Sequence, residues 1–322
     1  IFISTSFMKP VITIFDSIHQ SGIDKMSEFS DVNIAYGVDR KKCLELSSTS
    51  NVIIVKSGVE VDKELLNNSP CLSIIARAGT GVDNIDIVEA KRLGIKVLTV
   101  PTGNSISAAE FTLLQILTLC RRIPEVTDFI NKNDFRRQLL EGRELNNMSV
   151  GLVGLGNVGM LVFERLKAFG CLVVGHDPYS NNIAQFVSSG GVHCKTFDEL
   201  LSMVDIISFH ARLTKDNIHM MGEEQFNKVK PGLLIINTAR ANLIDQKALL
   251  KSVENDIVSA VSLDVLEPEP PFELEPEQHN YQHPMLENEK IYVTPHIGAS
   301  TVGAQQRISL DICEQILNNL ED

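Results

Sequence analysis

Ser149-Val-Gly-Leu-Val-Gly154-Leu-Gly156-Asn-Val-Gly159 decides how this chain is read. A short apolar strand runs into G-x-G-x-x-G. A helical pattern follows in Val158, Leu161, Val162, Arg165, Leu166 and Phe169, with Gly170 as its stop. A second strand comes next, over 172–175, and Asp177 stands at its end, 18 residues past Gly159. Each part has a mechanical task in holding a dinucleotide. Gly154 permits a tight turn, Gly156 lets backbone approach a pyrophosphate, and Gly159 lets helix and strand pack closely. The helix N-terminus offers unpaired N–H groups to phosphates. A carboxylate at Asp177 suits both hydroxyls of an adenosine ribose and repels a 2′-phosphate, which favours NAD over NADP. A glycine-rich turn that merely needs positive φ is the plainer alternative. It leaves the ordered strand, helix, second strand and acid unexplained.

The alternation extends in both directions. Strand-like runs before this motif fall at 11–15, 52–55, 72–76 and 97–100, with helical stretches such as 63–67 and 85–93 between them. After it, strands are expected at 150–153, 172–175, 206–209, 233–237, 258–263 and 291–294. Such alternation specifies an α/β protein with parallel sheets covered by helices on both faces. A helix over 105–122 can be capped by Ser105 and ended by Pro124. Phe111, Leu113, Leu114, Ile116, Leu117 and Leu119 make it apolar nearly all round, so burial on most sides is expected. Residues 131–147 are polar and read as a connection. Residues 267–284 are rich in Pro and Glu and read as an irregular surface loop. An amphipathic helix over 304–320 closes the chain.

The 322 residues fit two domains of ordinary size, and 43% apolar content supplies both cores. The net charge of −12 repels phosphate backbones and anionic membrane surfaces, so nucleic-acid binding is not expected. No apolar run is long enough to suggest a membrane span. The six cysteines form no C-x-x-C pair and no zinc spacing, so no metal site is expected. They read as small buried hydrophobes in a reducing, cytoplasmic setting. Residues 1–7 read as an upstream extension ahead of Met8, without the features of a signal peptide.

Three strand ends in the second half carry chemistry. Leu233-Leu-Ile-Ile-Asn237-Thr-Ala-Arg240 places a cation, Ala260-Val-Ser-Leu-Asp264-Val-Leu-Glu-Pro-Glu269 places acids, and Ile291-Tyr-Val-Thr-Pro295-His296-Ile-Gly298 places a histidine. Ligands of open parallel sheets bind at the carboxyl ends of strands, so these ends should converge. His279 and His283 fall in the acidic loop and are expected to be exposed.

Over these stretches, from about Lys9 onward, the chain resembles the D-isomer-specific 2-hydroxyacid dehydrogenases. Residues 75–86 (Ile-Ala-Arg77-Ala-Gly79-Thr80-Gly-Val-Asp-Asn-Ile-Asp) and 101–110 make it most similar to the catalytic part of the phosphoglycerate dehydrogenases within that family. The resemblance implies a flavodoxin-like substrate domain over 8–103 plus 297–322, a Rossmann NAD-binding domain over 104–296, and a homodimer. It implies that Arg240, Glu269 and His296 are the catalytic set. Arg240 would hold the substrate carboxylate, and His296 would exchange the hydroxyl proton. Glu269 would orient the imidazole, standing five positions after Asp264, with Glu267 as its rival. Backbone N–H groups around Ala78 and Gly79 would hold the same carboxylate. Further cofactor contacts implied are Thr80, Asn157, Val158, Thr238, Ala239, Asp264 and Gly298. Asp264 either meets the nicotinamide carboxamide or caps an adjacent turn. Lys56, with Ser57 and Gly58 after it, and Arg77 match positions basic in phosphoglycerate dehydrogenases. They suit a substrate phosphate such as that of 3-phosphoglycerate or 3-phosphohydroxypyruvate, in serine biosynthesis, or else belong to surface ion pairs.

Arg212 stands where the family usually has proline, and Ala241 and Asn242 where it usually has glycines. The sequence ends at Asp322, so the C-terminal regulatory domains carried by many phosphoglycerate dehydrogenases are not expected. Glyoxylate or hydroxypyruvate reduction is the alternative within the family. An NAD(H)-sensing corepressor-like binding protein is the alternative outside catalysis, and it would need a docking surface that no stretch announces. A formate-dehydrogenase-like reading is disfavoured, because formate oxidation has no need of an acid tuning a histidine.

Overall fold

The computed structural model describes residues 9–272 and 274–320; the expectation for residues 1–7 lies outside them. The chain forms two units, one of residues up to 104 together with those from 300 on, the other of residues 105–299.

The first unit contains β1 (Val11–Ile14), α1 (Gln20–Phe29), β2 (Asp31–Ile34), α2 (Arg40–Ser47), β3 (Val52–Val55), α3 (Lys63–Asn67), β4 (Ile74–Arg77), α4 (Ile87–Arg92) and β5 (Lys96–Thr99). The strands are all parallel, in the order β2-β1-β3-β4-β5, which is the flavodoxin-like winding. Central β3 shows why its sequence is continuously apolar. Val52 and Ile54 enter one core, while Ile53 and Val55 enter another with Leu65 and Leu66 on the opposite face. Val55 pairs with Arg77, which sets Lys56 and Arg77 side by side at the carboxyl ends of neighbouring strands.

The second unit contains α5 (Ser105–Cys120), α6 (Ile123–Asn131), β6 (Ser149–Val153), α7 (Asn157–Ala168), β7 (Leu172–His176), α8 (Ile183–Ser188), β8 (Val192–His193), α9 (Phe197–Met203), β9 (Ile206–Phe209), α10 (Glu223–Phe226), β10 (Leu233–Asn237), α11 (Gln246–Glu254), β11 (Val258–Leu263) and β12 (Ile291–Val293). Its parallel sheet runs β12-β11-β10-β9-β6-β7-β8. The winding reverses between β6 and β9, the crevice where doubly wound sheets bind ligands. The last helix, α12 (Val302–Leu320), packs in the first unit, with Ile308, Ile312 and Ile316 in the same core as Val52 and Ile54.

Several local expectations need correction. β2 and β8 are edge strands that the apolar pattern does not announce. β2 is largely solvent-facing and β8 has two residues. The strand expected at 72–76 forms at Ile74–Arg77, because Leu72 closes a turn on the carbonyl of Ser69. Pro124 does not simply end a helix. α5 stops at Cys120, Arg122 turns left-handed at φ 54°, and Pro124 lies in the first turn of α6, where a missing N–H costs nothing. α5 is buried on most of its surface, but Leu114 and Ile106 stay open to solvent. Cys43, Cys120, Cys194 and Cys313 are buried as expected, whereas Cys71 is exposed and Cys171 half-buried. Among the described residues no helix is long and apolar enough to cross a membrane, and no group of three or more His, Cys, Asp or Glu could hold a metal ion.

Candidate active site

The second sheet brings its strand ends level. Val153 pairs with both His176 and Phe209, Phe209 with Asn237, Asn237 with Leu263, and Leu263 with Val293. One edge of this sheet therefore carries, in adjacent loops, Asp177, the glycine turn, His210, Arg240, the acids after Asp264, and His296.

At the glycine turn Gly154 has φ +101°, and a Cβ there would come 2.7 Å from the backbone of His210 and Ala211. A Cβ on Gly159 would collide with the carbonyl of Gly154. At Gly156 it would meet nothing within 4 Å, so the space before the α7 N-terminus is open. At its N-cap, Gly156, no side-chain hydrogen bond caps that helix, and a helix N-terminus is the part of a dinucleotide turn that faces a pyrophosphate. Asp177 Oδ2 accepts from the Leu155 N–H at 2.8 Å and Oδ1 from Tyr179 at 2.9 Å. The acid thus also fastens β7 to the glycine turn. Burial pushes His210 down to about 4. Its Nε2 lies 3.0 Å from Ser208 Oγ, so the neutral ring sits behind the turn.

His296 Nδ1 lies 2.9 Å from Glu269 Oε1. The two side chains are 37% and 41% exposed, so the pair is open to a small molecule. Glu267 goes elsewhere: its Oε2 accepts from Asn242 at 3.3 Å. A cavity of about 210 Å³ beside the pair is lined by Phe272, Tyr281, Leu286 and Pro295. His296 has φ +53°, a left-handed conformation that costs a non-glycine residue on the order of 1–2 kcal/mol. Asp264 holds it there. Oδ1 accepts from Thr294 Oγ1 at 2.6 Å and from the Ile297 N–H at 2.9 Å, and Oδ2 from the Gly298 N–H at 2.8 Å. Of the two roles open to Asp264, the structure displays the turn-capping one. Burial pushes its pKa up, against the pull of these donors.

Arg240 is half-buried three residues past β10, with Nη1 donating to the Ala239 carbonyl at 2.8 Å. Buried Asn237 shapes that loop: its Oδ1 accepts the Ala239 N–H at 3.0 Å and its Nδ2 donates to the Arg240 carbonyl at 2.9 Å. Thr238 Oγ1 meets Thr112 Oγ1 at 2.9 Å.

In the first unit, Lys56 Nζ donates to Gln305 Oε1 at 2.6 Å, and its N–H donates to Asp16 Oδ2 at 2.5 Å. The Arg77 guanidinium lies against Gly79, where a Cβ would collide with it. Ser57 and Gly58 are exposed beside Lys56, and Thr80 Oγ1 donates to the Val100 carbonyl at 3.3 Å. The cradle expected at 78–79 meets an obstacle. The Ala78 N–H donates to Val55 at 2.9 Å and the Gly79 N–H to Arg77 at 2.7 Å, so both already have backbone acceptors.

Sequence reasoning missed the supports. Gln115 in α5 accepts from Ser262 at 2.8 Å and donates to Thr294 at 3.3 Å, extending the Asp264 network into the core. His283, expected to be exposed, is buried, with both ring nitrogens hydrogen-bonded. A polar residue inside a buried helix and an asparagine ending an apolar strand were the available signals for Gln115 and Asn237.

A doubly wound sheet with an open dinucleotide turn and a carboxylate–imidazole pair on one edge defines the class of nucleotide-dependent α/β proteins. The model of the D-isomer specific 2-hydroxyacid dehydrogenase NAD-binding domain matches residues 113–298, and the chain belongs to that family. It is 35% identical over 306 residues to D-3-phosphoglycerate dehydrogenase of Methanocaldococcus jannaschii, covering 95% of this chain and 56% of that one. It is 37% identical over 269 residues to the Bacillus subtilis protein of the same name, covering 84% and 49%. The chain therefore spans about half the length of the curated relatives it matches. Among solved structures it is similar to the Aquifex aeolicus D-lactate dehydrogenase complexed with NAD and lactic acid. There the TM-score is 0.86 and the identity 29%, over 97% of this chain and 95% of that one.

Proposed function

We propose that this chain is an NAD-dependent oxidoreductase acting on carbon 2 of a small D-2-hydroxy or 2-oxo acid. The observation that carries this reading is the Glu269–His296 contact on the sheet edge that also bears the dinucleotide turn. Bound NAD would supply a nicotinamide that accepts or donates the hydride. His296 Nε2 takes the substrate hydroxyl proton in oxidation and returns one in reduction. Glu269 holds the Nδ1–H, fixing the tautomer and favouring the imidazolium. Arg240 pairs with the substrate carboxylate. The open space at Gly156, the uncapped α7 and Asp177 support residues 104–296 as the NAD domain, with Asn157, Val158, Thr238, Ala239 and Gly298 around the cofactor. Residues 8–103 and 297–322 are proposed as the substrate domain.

The proposed substrate pair is 3-phosphoglycerate and 3-phosphohydroxypyruvate, which would place the reaction in serine biosynthesis. The relatives' names and the adjacency of Lys56 and Arg77 support it. Glyoxylate or hydroxypyruvate reduction is the second reading, favoured by structural similarity to a Paecilomyes thermophila glyoxylate reductase at 25% identity and TM-score 0.84. A homodimer in the cytoplasm is the proposed setting. α6 buries none of its residues in the single chain although Ile123 and Ile130 are apolar, which supports a partner surface. A panel of phosphohydroxypyruvate, hydroxypyruvate, glyoxylate, pyruvate and 2-oxoglutarate, followed by NADH absorbance, tests this reading. A kcat/KM highest for phosphohydroxypyruvate supports it, and no turnover of any member overturns it.

A further inference from the structure

Behind the Glu269–His296 pair, three donors converge on two consecutive carbonyls. The Glu267 carbonyl accepts from Gln246 Nε2 at 3.0 Å and from His283 at 3.1 Å, and the Pro268 carbonyl accepts from the Tyr281 hydroxyl at 2.7 Å. The role of the His283 ring is fixed by its other nitrogen. Nδ1 accepts the Met285 N–H at 3.2 Å, so Nε2 carries the proton and donates to Glu267. The rings of His283 and Tyr281 stack, with centroids 6.1 Å apart. Burial and the charges of Glu267 and Glu269 push the Tyr281 pKa up, which keeps its hydroxyl a donor.

The loop needs such ties. Phe272 and Leu274 are exposed, so apolar burial does little to order it, and each unfixed residue retains roughly 1–2 kcal/mol of backbone entropy. Glu269 nonetheless meets one atom of His296 within hydrogen-bonding distance. We propose that His283, together with Tyr281, is a positioning residue: it fixes the backbone immediately before Glu269 so that this carboxylate meets Nδ1 of His296. Both nitrogens of His283 are committed within the loop, which leaves it no part in proton transfer of its own. Asn242 completes the arrangement by engaging the side chain of Glu267, the competing acid. The inference rests on the reading of His296 as the proton-transferring group.

The test compares His283→Phe, His283→Gln and Tyr281→Phe in the wild-type and Glu269→Ala backgrounds, by steady-state reduction of the best 2-oxo acid. His283→Phe should lower kcat about tenfold, as losses of supporting hydrogen bonds do, with the KM for NADH little changed. His283→Gln, which can still donate to the Glu267 carbonyl, should recover most of the loss. In the Glu269→Ala background His283→Phe should cost less than about twofold, because residues acting through one another are not additive. Equal losses in both backgrounds, or none in either, would overturn the proposal. Tyr281→Phe removes one hydroxyl and decides by the same comparison if His283→Phe does not fold. A readout independent of turnover is the ¹⁵N resonance of His296 Nδ1. It should move in His283→Phe toward its position in Glu269→Ala, and an unmoved resonance contradicts the clamp. Wild-type turnover undiminished in His296→Ala would instead refute the underlying reading and leave the resonance test intact.

Discussion

Oε1 of Glu269 lies 2.9 Å from Nδ1 of His296, while Glu267, two residues earlier, directs its carboxylate to Asn242. Two acids that the sequence leaves as rivals are thereby separated. Glu269→Gln should lower kcat by roughly 10²- to 10⁴-fold, the scale of removing the carboxylate that orients a general acid–base histidine. Glu267→Gln should change it less than about threefold, since an exposed contact of this kind contributes little. Steady-state kinetics on the two variants checks this, and the reverse ranking would remove Glu269 from the site.

Asp177 ties the Leu155 and Tyr179 N–H groups, and the proposed function gives it a second duty at the adenosine ribose. Asp177→Ser should raise the KM for NADH about tenfold or more and narrow the preference for NADH over NADPH. The variant should also lose about 1–3 kcal/mol of stability, from the part-buried Leu155 N–H that loses its acceptor. Cofactor kinetics with thermal unfolding separates the duties. An unchanged NADH to NADPH ratio would deny Asp177 the ribose.

Lys56 and Arg77 lie at the ends of adjacent strands, and the proposed function assigns them one anionic group of the substrate. Arg77→Ala should raise the KM for phosphohydroxypyruvate by a factor of about 10 or more, the scale of a charge-assisted contact, and leave that for glyoxylate nearly unchanged. Equal shifts for both substrates would mean that Arg77 does not read a phosphate.

Burial holds His210 down at about 4, against an ordinary value of 6.5. The unfolded chain therefore takes up a proton in a range where the folded chain does not. This contribution to stability is whole above pH 6.5 and is lost as the pH falls through about 4, by at most about 3 kcal/mol. Melting midpoints of the wild type should fall more steeply from pH 7 to pH 4 than those of His210→Gln. Parallel curves would contradict it.

The β6–α7–β7 unit was legible because its signals are local: an apolar run, three spaced glycines, a helical period and an acid at a strand end. The strand ends followed by Arg240 and His296 were legible for the same reason, whereas Glu269 was singled out from Glu267 by the family resemblance alone. Edge strands β2 and β8 were not, since a strand facing solvent needs no apolar pattern. The supports were hidden by distance. His283 bonds back over 16 residues to Glu267, and Gln115 reaches Thr294 across 179. Composition places His283 in a solvated acidic loop, whereas two hydrogen bonds let it be buried there. The backbone acceptors of the Ala78 and Gly79 N–H groups, one in strand pairing and one in a tight turn, were likewise not announced by the sequence.

The most direct measurement is NADH consumption with the best 2-oxo acid of the panel, in the wild type and in His296→Ala. Turnover by the wild type should fall by roughly 10²- to 10⁴-fold in the variant, the range for losing a general acid–base group, while NADH binding persists. Undiminished turnover in His296→Ala would contradict the assignment of proton transfer to this histidine.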